Sequence, residues 1–219
     1  MKKINWSNYV IELFVVIFGV TIAFMLNSWY ESNKSRELEK KYLQGFADDM
    51  TNDYVELDSI ISSGELKINK VNRLLILLKH EPVDSDSVLT IFAEMAMFSP
   101  FDPNTTTYES IKSSGNLGVI SNFYLRSALI RYYQTLNEKK YIDEIFSSYL
   151  NDFIIPFALK NIDFVENQFV SESVFRDYKF RNLTIGYIRL IDQNTQFYKR
   201  LYKVNSDVKV LLTKYLEDI

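Results

Sequence analysis

The residues best equipped for chemistry stand in one short acidic stretch, Asp48, Asp49, Asp53 and Glu56. Spacings of four and three put Asp49, Asp53 and Glu56 on one face of a helix. Carboxylates grouped in this way are hard oxygen ligands, suited to calcium or magnesium, and such a site would make the chain a metal-dependent enzyme. No Glu-x-x-His motif accompanies them, so the four-helix di-iron pattern is not met. A solvated acidic face is the commoner use of such a run. Asp49, Asp53 and Glu56 are therefore the metal candidates, against a general expectation of no metal and no cofactor.

His80 is the only histidine. It could serve a triad, yet the chain carries no Gly-x-Ser-x-Gly nucleophile elbow. Cysteine is absent, which removes disulfides, thiolate zinc sites, iron–sulfur clusters and thiol nucleophiles together. The stretch "TTTYESIKSSGNLGVIS", residues 105–121, offers glycines, serines and an asparagine that could form an anion-binding nest. Its spacing is not that of a phosphate loop, because Gly115 and Gly118 are not followed by Lys-Ser/Thr and no strand precedes them. The pattern reads instead as a helix over 108–114, a left-handed cap at Gly115 and a new N-cap at Ser121. No catalytic constellation emerges, and the expectation is a protein that is not an enzyme.

These residues must be held by elements, and the elements are helical. A chain of 219 residues, 47% hydrophobic, can build an anchor and one medium domain. Its 25 basic and 28 acidic residues leave a net charge of -3 without a long basic run, so no nucleic-acid partner is expected.

The segment "YVIELFVVIFGVTIAFMLNSWY", residues 9–30, is long enough as a helix, about 33 Å, to cross a hydrocarbon core. Its apolar residues cover every face, unlike those of a surface helix. Trp6 and Tyr9 before it, and Trp29 and Tyr30 after it, are the rings that settle at headgroup depth. Lys2 and Lys3 resemble a signal-peptide head, but Phe24 to Trp29 offers no small-x-small cleavage site, so the reading is an uncleaved span in a lipid bilayer. Glu12 lies about one turn inside it and can reach the interface. Gly19 and Ala23, four apart, form a small face for close helix approach in a homo-oligomer. The Lys/Arg bias leans toward a cytoplasmic bundle, whereas a short basic head before a lone anchor favours export of the domain beyond the anchor. The expectation is an extracytoplasmic domain on a cytoplasmic membrane.

Beyond the span, Tyr54, Leu57, Ile61, Gly64, Ile68, Val71, Leu75 and Leu78 alternate steps of three and four, the seam of a bundle or coiled coil. Gly64 is either a close-packing position or a break. Lys79-His80-Glu81-Pro82 ends the run. A short helix comes next, from about residue 88 to 98, and the loop 99–107 holds Pro100 and Pro103. A long helix then runs from Ser121 to about Lys160, its periodic apolar members including Leu125, Leu129, Tyr132, Tyr141, Phe146 and Phe153, with Pro156 kinking or ending it. The stretch 164–180 is a mixed, aromatic connection, and a last helix covers about 183–216. The fold class is all-α: an N-terminal transmembrane helix and a long-helix antiparallel bundle. The division is a tail at 1–8, an anchor at 9–30 and a bundle at 31–219.

The order of "VIELFVVIFGVTIAFMLNSW", "ESNKSRELEKKYL" and "TYESIKSSGNLGVISNFYLRSALIRYY" resembles an uncharacterised bacterial family of small membrane proteins, the domain-of-unknown-function family numbered 6090. The resemblance covers nearly the whole chain, and residues 107–133 carry its more specific part. It implies a single-pass membrane protein without assigned activity, and brings no catalytic residues to transfer. The leading functional reading is a membrane-anchored interaction or sensory module with a protein partner or ligand. The alternatives are an oligomeric pore or leak built on Glu12, and the metal enzyme of the acidic cluster.

Overall fold

The computed structural model describes residues 6–79 and 83–218, with side chains from residue 11 onward. His80, Pro82, Lys2 and Lys3 lie outside the described residues, as do the side chains of Trp6 and Tyr9. The order is α1 (Trp6–Leu77), α2 (Ser85–Met95), α3 (Thr106–Ser113), α4 (Phe123–Tyr149), α5 (Ile155–Asn161), β1 (Ile162–Asp163), β2 (Gln168–Phe169), α6 (Ser173–Arg176) and α7 (Tyr178–Asp218).

A single helix, α1, runs from the apolar segment into the bundle without interruption. Gly64 is thus a packing position: a Cβ there would collide with the Thr195 side chain of α7. Through residues 11–37 every side chain is exposed, and packing begins at Leu38 and the buried Glu39.

Three long helices form the bundle, and their direction is fixed by pairs of contacts. Glu39 meets Ser121 and Asp53 meets Tyr132, so α4 runs parallel to α1. Glu39 also meets Tyr215, while the Lys199 ammonium pairs with Glu65, so α7 runs antiparallel to both. Parallel α1 and α4 require a return, and residues 84–121 provide it. Asp84 caps α2 by accepting the Ser87 backbone N–H. The chain then descends along α1 through the proline-bearing loop, α3 and the turn at Gly115, whose φ of 70° is the left-handed cap conformation. Asn122 then caps α4 by accepting the Leu125 N–H. The cap is one residue later than the expected Ser121, whose hydroxyl is occupied elsewhere.

Before Pro156 the helix widens into a five-residue π turn, 150–154, closed by the Ile155 N–H on the Leu150 carbonyl. Proline lacks an N–H and its ring crowds the carbonyl four residues back, so a wider turn carries the chain past it into α5. The connection 162–176 holds a two-residue antiparallel hairpin, with Ile162 paired to Phe169, and the short α6.

The core has two stacked parts. The lower one, nearer the apolar segment, joins Leu43, Phe46, Met50 and Leu57 to Leu125, Leu129, Leu201 and Leu212. The upper one packs Val71 and Leu74 against Phe92, Phe146, Phe180 and Tyr187. Each such side chain contributes about 1.5–3 kcal/mol of burial energy. The periodic positions Tyr141 and Phe153 face outward instead, 67% and 55% exposed.

Candidate functional site

The acidic stretch is used as a staple. Glu56 accepts the backbone N–H of Asp102 at 2.9 Å, Asp53 accepts those of the Asn104 backbone and side chain at 2.8 Å each, and Asp49 accepts that of Thr107 at 3.3 Å. Backbone amides of a loop interrupted by Pro100 and Pro103 have no ladder to join, and α1 supplies acceptors at one-turn intervals. Asp49 also serves the first turn of α3, whose own N-cap Thr105 makes no side-chain cap. Among the described residues no group of His, Asp and Glu converges as a cation would require.

Asp53 is fully buried and also accepts a 2.6 Å hydrogen bond from the Tyr132 hydroxyl. Desolvation outweighs these hydrogen bonds and raises its carboxyl above the ordinary aspartate range. Burial first, and the Asp53 charge second, push the Tyr132 hydroxyl well above the tyrosine range. Asn205 of α7 reaches the same hydroxyl at 3.5 Å and the Met50 sulfur at 3.4 Å. A buried polar knot therefore ties α1, α4 and α7 inside the lower core.

A second knot lies higher. The Tyr198 hydroxyl of α7 donates to Asp143 of α4 at 2.8 Å and receives the Phe101 N–H at 3.3 Å. Lys139 pairs with the other Asp143 oxygen at 2.8 Å. A third knot closes the base: Glu39 accepts the Ser121 N–H at 2.7 Å and the Tyr215 hydroxyl at 3.2 Å.

Between the descending loop, α3 and α4 lies an open cleft of about 840 Å³. Tyr108 and Tyr133 line it, stacked at 4.1 Å and nearly parallel. Lys112 stands 5.6 Å over the Tyr108 ring. Lys139, Asp143 and Glu144 complete a rim of both signs. The Tyr133 hydroxyl donates to the Asn104 carbonyl at 3.3 Å, and burial raises it far above its usual range. That hydroxyl ties α4 to the descending loop.

At the glycine turn the Ser114 and Gly115 N–H groups are spent on the Ser110 and Lys112 carbonyls at the end of α3, as in a helix cap. Ser114 and Asn116 hydrogen-bond the Tyr42 hydroxyl and hold it below the usual tyrosine range. In the apolar segment, Thr21 donates back to the Ile17 carbonyl at 2.8 Å within its own helix. Nothing lies within 4 Å of a Cβ placed at Gly19. Glu12, Trp29 and Tyr30 are exposed.

Residues 12–192 match a family of unknown function, DUF6090. The chain belongs to the DUF6090 family. No curated protein and no solved structure matches it. The DUF6090 match takes in the apolar segment, the acidic staple and the cleft, and it stops before Tyr198, Asn205 and Tyr215 on α7.

Sequence reasoning missed Glu39, Asp143, Tyr198, Asn205 and the polar role of Tyr132. A buried carboxylate and an exposed one are the same letter, and the available hint for Glu39 was its place between Leu38 and Leu43 on α1.

Proposed function

We propose that this DUF6090 protein is a non-catalytic, single-pass module of a bacterial cytoplasmic membrane, whose extracytoplasmic bundle senses a ligand or binds a protein partner. One observation carries the reading: α1 is a single helix, apolar and exposed on all sides through residues 13–26 and packed inside the bundle from residue 39. Leaving that much apolar surface in water is unfavourable at about 25 cal/mol per Å². A bilayer removes the penalty, and the segment is long enough to cross one.

The cleft supplies the sensory half. Stacked tyrosines with flanking cations and carboxylates suit a polar or zwitterionic ligand, or a peptide segment, better than a greasy one. Its wall is the loop and α3 that Asp49, Asp53 and Glu56 hold on α1, so displacement of that wall is felt by the helix that enters the membrane. Gly19 and Ala23 are the face by which a second copy would approach within the bilayer.

Membrane fractionation with an alkaline carbonate wash tests the reading. The full chain is expected to stay in the pellet, and release into the supernatant would overturn it. A single cysteine at the exposed Ser59, probed with an impermeant maleimide, is expected to react in cells whose outer membrane is permeabilised and whose inner membrane is intact. Reaction only after lysis would place the bundle in the cytoplasm.

A further inference from the structure

The first turn of α4 presents Phe123 and Tyr124 to solvent at 63% and 79% exposure, at the end of the bundle nearest the apolar segment. The two rings meet edge to face at 5.9 Å, and the Arg126 guanidinium stands 5.7 Å over Phe123. Arg126 is itself fixed by donating to the Ile120 carbonyl at 2.8 Å. The cluster is thus held in place although it is exposed.

Its position relative to a bilayer is set by α1. From Tyr30, at the end of the apolar segment, to Glu39, the first fully packed position, the helix rises about 13 Å. The headgroup layer occupies about 5–7 Å on each side of the hydrocarbon core. Helical side chains tilt toward their own N-terminus. Because α4 runs parallel to α1, the Phe123 and Tyr124 rings lean down into the remaining gap. The last turn of α7, beyond Tyr215, extends the same way. In the intervening turns of α1, exposed Lys34 and Arg36 match exposed Glu31 and Glu37, and exposed Lys40 and Lys41 just beyond them match exposed Glu217 and Asp218 at the end of α7, so charge is balanced here and the aromatic rings with Arg126 carry the contact.

We propose that Phe123, Tyr124 and Arg126 form a second lipid contact, a foot by which the bundle rests on the phospholipid headgroup layer and is held upright over its span. Aromatic rings with an adjacent arginine are the side-chain types enriched at membrane–water interfaces, and here they face the outer edge of the headgroup layer. The inference rests on residues 9–30 spanning the bilayer, and the test separates the two claims.

The absence of cysteine allows single-cysteine variants of the full chain in nanodiscs of phosphatidylcholine and phosphatidylglycerol. An environment-sensitive fluorophore is placed at Phe123→Cys, at Tyr141→Cys higher on α4, and at Ser28→Cys at the span's end. Tyr124→Cys serves as a second foot position. Nitroxide-headgroup lipid is expected to quench the probe at 28 and at 123 or 124, and to leave 141 unquenched. Quenching at 28 alone overturns the foot and leaves the span standing. No quenching at 28 removes the span and the foot with it. Equal quenching at 141 means that the bundle lies along the surface, which also overturns an upright foot.

Discussion

Asp53 of α1 and Tyr132 of α4 meet at 2.6 Å inside the lower core, and the same carboxylate holds the Asn104 amide of the descending loop. One side chain thus fixes the spacing of two parallel helices and the path of the segment that makes them parallel.

Its pH dependence has a definite sign. The folded-state value of Asp53 is raised above the ordinary 3.8 because burial disfavours the charge. Its stabilising contribution is therefore complete below the unfolded value and is lost as pH rises through the folded one. Asp53→Asn removes this titration with little change of shape. Wild type minus Asp53→Asn, measured by urea denaturation across this interval, is expected to fall as pH increases. A difference that rises with pH would show that the hydrogen bonds outweigh desolvation.

Asp53→Ala goes further, leaving the Tyr132 hydroxyl and the Asn104 amide without their acceptor. A loss of about 2–3 kcal/mol is expected from buried groups orphaned in this way. Equilibrium unfolding in detergent measures it, and a loss within about 0.5 kcal/mol, as for an ordinary surface site, would contradict the staple.

At the base, Glu39→Ala would orphan the Ser121 N–H and leave the Tyr215 hydroxyl with only its 2.7 Å bond to the Ser121 hydroxyl. The expected result is release of the last turns of α7, read as faster amide hydrogen exchange after Leu212, with a stability loss of about 2 kcal/mol. Unchanged exchange there would show that Leu212 packing alone holds the terminus.

Two glycines of α1 should respond oppositely. Gly64→Ala places a methyl against Thr195, and about 1–3 kcal/mol of overpacking should exceed the gain of about 1 kcal/mol in helix propensity. Gly19→Ala meets open space in the single chain and should keep the propensity gain of about 1 kcal/mol. Thermal melts of the two variants side by side check this contrast.

Much of the fold was legible because it is written in periodicity. The apolar run at 9–30 lacks a polar face, the seam from Tyr54 to Leu78 keeps its three-four rhythm, and Gly115 marks a helix end where φ must be positive. The features that escaped have physical reasons. The π turn before Pro156 is a backbone adjustment with no residue signature of its own. Tyr141 and Phe153 fit the helical period yet face outward, because periodicity gives a face without saying what covers it. The parallel course of α4 depends on a return segment held by long-range hydrogen bonds. The acidic residues were legible as a helix face, while their acceptor role toward loop amides 46 to 58 positions away is a tertiary fact.

The central claim is that α1 leaves the bundle and enters a bilayer as one helix surrounded by lipid. Single cysteines placed in turn at positions 13–36 and challenged with an impermeant maleimide in native membranes test it most directly. The account expects unbroken protection through residue 26 with no helical period, and reactivity returning between Trp29 and Arg36. Reactivity throughout, or protection of only one face at a 3.6-residue period, would contradict it, the second by showing a helix docked on protein instead of immersed in lipid.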